Sequence, residues 1–176
     1  MNYVYKIMQS PVGKLKLIAS EGGLAGILWE NDKSWRVPHL KSAVENGAWP
    51  VLLNTECQLN EYFAGTRKAF VLPLDFTGTD FEKKVWQALL TIPYGETRTY
   101  GQIAQQIGET GAARAVGVAN SKNPISIIAP CHRVIGADGK LTGFAGGLEV
   151  KAYLLNLESN DLFKPTQIGM NAISLV

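Results

Sequence analysis

No stretch of the sequence stays apolar for the ~18–20 residues that a membrane span needs, and Met1-Asn2-Tyr3-Val4-Tyr5-Lys6 lacks the apolar core of a secretory signal. The expectation is a cytoplasmic protein with no membrane contact. Cysteine and histidine are scarce, at two each: Cys57 and Cys131, His39 and His132. Two thiols build no disulfide framework and point to a reducing compartment. The four positions show no metal-ligand spacing, so no metal and no other cofactor is expected. A strong charge is missing too, since 17 Lys and Arg against 15 Asp and Glu leave +2. That balance does not by itself announce nucleic acid. Internal repeats and low-complexity tracts are absent.

What is present is an ordinary globular composition, 46% hydrophobic and 18% charged, in 176 residues. This length accommodates one large domain or two small ones. Strand-forming segments run from Tyr3 to Met8, Leu15 to Ala19 and Leu24 to Trp29. Turn chemistry at Ser10-Pro11-Val12-Gly13 and Glu21-Gly22-Gly23 separates them, which predicts an antiparallel meander. Leu15, Leu17 and Ala19 alternate with Lys16, Ile18 and Ser20, the pattern of a half-exposed strand. Residues 31–50 read as loop with a short helical turn. A helix is predicted over 50–63, with Leu52, Glu56, Leu59 and Phe63 on one stripe and Tyr62 beside it. Cys57 lies off that stripe and reads as a bystander. Phe70-Val71-Leu72 reads as one further strand, and Pro73 to Gly78 as an interdomain linker.

The second half turns helical. Thr79-x-x-Glu82 is a capping box opening a helix whose apolar face is Phe81, Val85, Trp86, Leu89 and Leu90. Thr99-x-x-Gln102 opens a second, with Tyr100, Ile103, Ala104 and Ile107 as its stripe. A third is predicted over about 112–120, packing through Ala112, Ala115, Val116 and Ala119. Two short helices about a tight glycine-containing turn have the appearance of a helix-turn-helix. A turn is predicted at 136–139, a bent loop at 143–147, and a last helix over 148–158 with Val150, Leu154 and Leu157 inward. The expected division is an N-terminal α/β domain over 1–76, a helix-turn-helix domain over 79–160, and a tail over 161–176.

Chemistry concentrates between these helices. Ile125 to Ile128 reads as a short buried strand or extended segment, and Pro130 pushes Ala129 away from helical geometry. Cys131, His132 and Arg133 follow. A thiolate is the reactive form of cysteine, and a neighbouring base or cation favours it; a buried cysteine is otherwise an inert small hydrophobe. Polar neighbours placed beside Cys131 in an apolar segment favour the reactive reading. From Arg98 to Arg133 there are four bases (Arg98, Arg114, Lys122, Arg133) and one acid, Glu109, a patch suited to weak, salt-sensitive phosphate contact. The outer face of the third helix offers Arg114 among small residues, Gly117, Val118 and Ser121. Major-groove readers carry long hydrogen-bonding side chains, so this face suits a shallow or narrow groove, or simply close helix packing.

Pro130-Cys131-His132-Arg133-Val134 resembles the active-site motif of the O6-alkylguanine-DNA alkyltransferases, the methylated-DNA–protein-cysteine methyltransferases, in their bacterial form. The resemblance is close from about Phe81 to Glu158 and looser elsewhere. It implies an RNase H-like N-terminal domain on an antiparallel sheet and a winged-helix/helix-turn-helix C-terminal domain. It implies direct repair of double-stranded DNA: one alkyl group moves irreversibly from the 6-oxygen of guanine, with the 4-oxygen of thymine a second candidate, to Cys131. The matching histidine, His132, reaches the thiol through a water and is polarised by the matching glutamate, Glu158. Arg114 matches an arginine that intercalates from the minor groove while the target base is extruded. On its stripe alone Tyr100 reads as a core aromatic with a satisfied hydroxyl; the resemblance instead matches it to a tyrosine of the alkylguanine pocket. Asn123 matches an asparagine that bonds backbone around the reactive turn; alone, it is an ordinary Asx turn before Pro124. Arg133 is assigned to local structure or phosphate contact, and Val134, Phe144 and Ala145 line the substrate site. Phe144 stands where many members have tyrosine, Ala145 where some have serine, and Asn156-Leu157-Glu158-Ser159 departs from the usual His-Glu-Gly. These departures bear on substrate range. A monomer acting without cofactor is expected. The rival readings are a helix-turn-helix protein that senses alkylated DNA without transfer, and a multiple-turnover cysteine hydrolase.

Overall fold

The computed structural model describes residues 2–33 and 35–159, and the chain forms two compact units. The expected tail over 161–176 lies outside the described residues. One unit comprises Met1–Thr77 together with Pro124–Ile128; the other comprises Gly78–Asn123 and the chain from Ala129 onward.

In the first unit, β1 (Val4–Ser10), β2 (Gly13–Ser20) and β3 (Gly23–Trp29) form the expected antiparallel meander, with Val4 opposite Ala19 and Leu15 opposite Trp29. Gly23 makes the last turn possible. It adopts φ 139°, and a Cβ there would sit 2.5 Å from the Pro73 carbonyl oxygen, which accepts the Leu24 N–H. Helix α1 spans Pro50–Phe63, starting with Pro in its first turn as predicted. Its buried stripe is Leu52, Thr55, Gln58, Leu59 and Tyr62; Glu56 and Phe63, expected inward, are only half-buried. A step of about 100° per residue centres the buried arc near Thr55, which leaves Glu56 and Phe63 on its flank.

Three readings of this unit are corrected. Residues 31–50 are not only loop: after a 3-10 turn at Pro38–Leu40, Val44–Glu45 forms β4, parallel to β1. The turn covers the second face of β2, where Ile18 packs with Tyr3, Ala25, Val37 and Leu40, so β2 is exposed on one face only toward its start. Phe70 to Leu72 is not a strand. The Val71 backbone N–H donates to Gln58 Oε1 (3.0 Å) and its carbonyl accepts from Gln58 Nε2 (2.9 Å), so a helix side chain does the work of a strand partner. Ile125 to Ile128 is buried but not extended. Ile125 makes a single bridge to Ile27, and Ile127 has φ 74° with the Ile128 N–H bonded to the Ser126 carbonyl at 2.9 Å. That is a γ-turn of the rarer hand, strained for a β-branched residue by on the order of 1–3 kcal/mol.

In the second unit, α2 (Asp80–Leu89) and α3 (Tyr100–Gln106) open on the two predicted capping boxes, each with both reciprocal bonds formed. Helix α4 runs over Ala113–Ser121 and packs on α3 as a helix-turn-helix. Trp86 of α2 donates its indole N–H to the Ala119 carbonyl at 2.9 Å and so fixes the end of α4. Two expected packing residues face outward: Ala115 is exposed and Leu90 is 38% exposed. The short parallel pair β5 (Arg98–Thr99) and β6 (Val134–Ile135) ties the start of α3 to the chain just after Cys131. Helix α5 spans Leu148–Glu158; its buried residues are Lys151, Ala152, Leu154, Leu155 and Glu158, with Val150 and Leu157 half-buried. No helix among the described residues is long and apolar enough to cross a membrane.

Candidate active site

Cys131 owes its place to Pro130. Pro130 has φ −81° and ψ 67°, and the Cys131 N–H bonds the Ala129 carbonyl at 2.7 Å, an inverse γ-turn that leads into the 3-10 turn Cys131–Arg133. Two asparagines hold the bend from the side. Asn123 Nδ2 donates to the Ala129 carbonyl at 2.8 Å, and Asn120 Nδ2 reaches the Cys131 carbonyl at 3.5 Å. Asn123 is thus more than a local Asx turn, while Asn120 on α4 was not singled out in the sequence. Cys131 is 3% exposed. Cys57 is exposed on α1, far down the chain from any of this chemistry.

His132 and Glu158 are separated by 26 residues, yet both are buried and in contact, Nε2 to Oε2 at 2.7 Å. A carboxylate only accepts, so the imidazole proton sits on Nε2 and Nδ1 carries the lone pair. Nδ1 has no hydrogen-bond partner among the described residues. Burial pushes the His132 pKa below its ordinary value, against the upward pull of Glu158, which keeps the ring neutral and basic at pH 7. Burial works to raise the Glu158 carboxyl, but its contacts with His132 and Arg133 hold it well below the usual carboxylate range.

Arg133 resolves into the structural alternative of its two expected roles. Its Nε donates to Glu158 Oε1 at 2.7 Å, Nη2 to Oε2 at 3.0 Å, and Nη1 to the Ile92 carbonyl at 2.6 Å, all in a buried setting. A phosphate contact would require it to leave Glu158 without its counter-ion. The C-terminal end of α5 is held close by Tyr94, whose hydroxyl donates to the Leu157 carbonyl at 3.2 Å. Gly95, at φ 81°, allows that approach, since a Cβ there would lie 3.0 Å from the Glu158 carbonyl oxygen.

Lys151 is the residue that sequence reasoning missed. Its Nζ is buried and donates to the carbonyls of Val134 (2.6 Å) and Thr142 (3.1 Å). Burial pushes its pKa down to about 8, while negative charge on Cys131 works the other way. A buried ammonium coupled to a thiol favours the thiolate. The signal available in advance was a lysine on the inward side of α5, one step from Leu154 on the same stripe.

Tyr100, at the start of α3, is half-buried and its hydroxyl bonds Thr142 Oγ1. Burial raises its phenol pKa, the Thr142 bond lowers it, and Cys131 raises it. Val134 is fully buried, so it contributes shape and its backbone rather than an exposed contact. Phe144 and Ala145 are half-buried in the loop before α5, where the Phe144 carbonyl accepts from the Gly147 N–H at 2.9 Å. Arg114 stands exposed on the outer face of α4, with Val118 52% exposed beside it. No group of His, Cys, Asp and Glu among the described residues is arranged to hold a metal.

The constellation coincides with family matches over both halves of the chain. Residues 3–76 match the model described as 6-O-methylguanine DNA methyltransferase, ribonuclease-like domain, and residues 80–160 match the DNA binding domain of the same description. The chain belongs to the 6-O-methylguanine DNA methyltransferase family. The methylated-DNA–protein-cysteine methyltransferase of Mycobacterium leprae is 51% identical over 155 residues, covering 88% of this chain and 92% of its own. That of Methanosarcina acetivorans is 51% identical over 157 residues, covering 89% and 98%. Among solved structures, Mycobacterium tuberculosis OGT in complex with DNA superposes with a TM-score of 0.79 at 49% identity, covering 90% of this chain and 93% of that one. The mixed α/β unit with its N-terminal sheet and the helical DNA-binding unit match the architecture of the family.

Proposed function

We propose that this chain repairs DNA directly, moving an alkyl group from the 6-oxygen of guanine onto Cys131 in one irreversible turnover. The observation that carries the reading is the buried His132–Glu158 pair beside the cysteine, with His132 Nδ1 as the open base. The Cys131 proton passes through a water to Nδ1, and Glu158 stabilises the imidazolium that forms. A sulfur–carbon bond is made as the oxygen–carbon bond breaks, and the guanine anion regains a proton at its ring nitrogen. The products are a thioether and intact guanine. A thioether is not reversed by hydrolysis, so each molecule acts once. Lys151 adds positive charge where the thiolate develops. Arg133 acts as the counter-ion of Glu158, and no cofactor takes part.

The substrate is double-stranded DNA containing O6-alkylguanine, with O4-alkylthymine as a second candidate. The helix-turn-helix domain over 79–160 holds both the chemistry and the DNA contact, and a separate α/β domain runs over 1–76. Helix α4 presents a small-surfaced face to the minor groove; Arg114 fills the stack while the target base turns into the pocket of Tyr100, Val134, Phe144 and Ala145. All these groups lie on one chain, so the protein acts as a monomer. Intact-mass measurement after incubation with methylated duplex DNA tests the reading. The expected result is a lasting gain of one methyl on the peptide containing Cys131, at most one per chain. Sustained turnover, or DNA binding by active protein without a mass gain, would refute it.

Arg114→Ala separates DNA recognition from chemistry. Losing the group that fills the gap should slow repair in duplex DNA by about 10- to 100-fold, since unstacking costs a few kcal/mol. Reaction with free alkylated guanine should hardly change, because Arg114 is exposed and remote in sequence from the thiol turn. Equal losses on both substrates would place Arg114 in folding or in the pocket.

A further inference from the structure

Thr142 belongs to none of the motifs above, yet it links two of the site's elements. Its Oγ1 bonds the hydroxyl of Tyr100 on α3, and its carbonyl accepts from Lys151 Nζ on α5 at 3.1 Å. Lys151 is itself fixed by the Val134 carbonyl at 2.6 Å, so the Thr142 backbone has little freedom and its hydroxyl is held against Tyr100. Among the described residues Tyr100 is the only hydrogen-bond partner of Thr142 Oγ1.

We propose that Thr142 is a positioning residue that donates its hydroxyl proton to Tyr100, leaving the Tyr100 O–H directed at an acceptor on the extruded base. Each hydroxyl has one proton and can also accept. With the site empty of base, either direction of the Thr142–Tyr100 bond leaves one proton over, and the two are equivalent. With a base acceptor present the equivalence ends. Thr142 to Tyr100 to base satisfies both protons, whereas Tyr100 to Thr142 leaves the base acceptor and the Thr142 proton both unmet. Unmet polar groups in a half-buried site are costly, so the first arrangement is selected on binding. Hydrogen bonds in a chain also polarise one another, which makes Tyr100 a better donor as negative charge grows on the departing guanine. Thr142 touches neither base nor thiol and acts only through Tyr100.

This inference rests on the repair reading, and its test keeps the two apart. Single-turnover transfer at saturating methylated duplex is compared for wild type, Thr142→Val, Thr142→Ser, Tyr100→Phe and the Tyr100→Phe/Thr142→Val double variant. Thr142→Val should be slower by about 2- to 12-fold, the range for one neutral hydrogen bond, and Thr142→Ser should match wild type. In the Tyr100→Phe background Thr142→Val should have no further effect. Additive losses, or a Thr142→Ser variant as slow as Thr142→Val, would overturn the proposal. Wild-type protein that takes up no alkyl group would instead refute the repair reading, and the hydroxyl pair then has its own measurement. NMR titration of ring-labelled Tyr100 should show ionisation moved to higher pH in Thr142→Val and unmoved in Thr142→Ser, because the Thr142 bond lowers the phenol pKa. An unmoved titration in Thr142→Val would refute the positioning role.

Discussion

Arg133→Met is expected to destabilise the protein by about 3–5 kcal/mol, the range for removing one partner of a buried ion pair. The guanidinium makes a two-pronged contact with Glu158, at 2.7 and 3.0 Å, and both side chains are more than nine-tenths buried. Methionine fills much of the space but leaves a buried carboxylate without the guanidinium that balances its charge. The Ile92 carbonyl loses its donor as well. For a chain of this length the loss corresponds to a melting temperature lower by roughly 6–20 °C. The sign of the pH dependence separates charge from packing. Glu158 is held below its ordinary value, so its pairing contributes stability above the unfolded glutamate pKa of about 4.3. That contribution is lost as pH falls toward the depressed native value. In Arg133→Met burial pushes the Glu158 carboxyl up, and protonation relieves the variant at mildly acid pH. The difference in melting temperature should therefore be large at pH 7 and shrink below about pH 4. A difference that stays constant from pH 7 to pH 3 would assign the loss to packing alone.

The contrast between Arg133 and the helix starts shows where sequence reasoning reaches. Thr79 and Thr99 announce α2 and α3 because a capping box is a local device, complete within four residues. Helix α5 begins and ends where its periodicity does. The Cys131–His132 chemistry was legible because the two residues are adjacent and the motif around them is distinctive. By contrast, Val44–Glu45 is a strand only because β1 offers it an edge; two residues carry no period of their own. Ile18 looked solvent-facing because alternation describes one strand and not the Pro38–Leu40 turn that covers it, and Ser20 because nothing local announces the Asp75 carboxylate it bonds. Ile125 to Ile128 has the composition of a strand, but the γ-turn at Ile127 overrides propensity. Lys151 and Thr142 were invisible for a related reason. A lysine on a helix is ordinarily solvated and a threonine in a glycine-rich loop is ordinarily unremarked. Their importance lies in groups contributed from elsewhere, the Val134 carbonyl for one and the Tyr100 hydroxyl for the other.

Glu158→Gln is expected to slow alkyl transfer at neutral pH by roughly 10- to 10⁴-fold, the span of general-base effects, while changing side-chain volume very little. Glutamine can still accept from His132 Nε2 through its amide oxygen, so the ring can keep its place. What disappears is the negative charge. The imidazolium that forms when His132 takes the Cys131 proton then faces the positive Arg133, its neighbour in the chain, without the Glu158 charge to offset it. Burial already lowers the His132 pKa, and Glu158 is the main group pulling it back up. Without that pull His132 is a weaker base, and the thiolate is harder to form. Raising the pH should recover part of the loss, because hydroxide can remove the thiol proton without His132. Lys151 limits the recovery, since its ammonium, with a pKa near 8, is itself lost over the same range. Single-turnover transfer across pH for wild type and Glu158→Gln, with melting curves in parallel, measures this directly. Profiles that coincide would remove Glu158 from the proton path and reduce the catalytic assignment to Cys131 and His132.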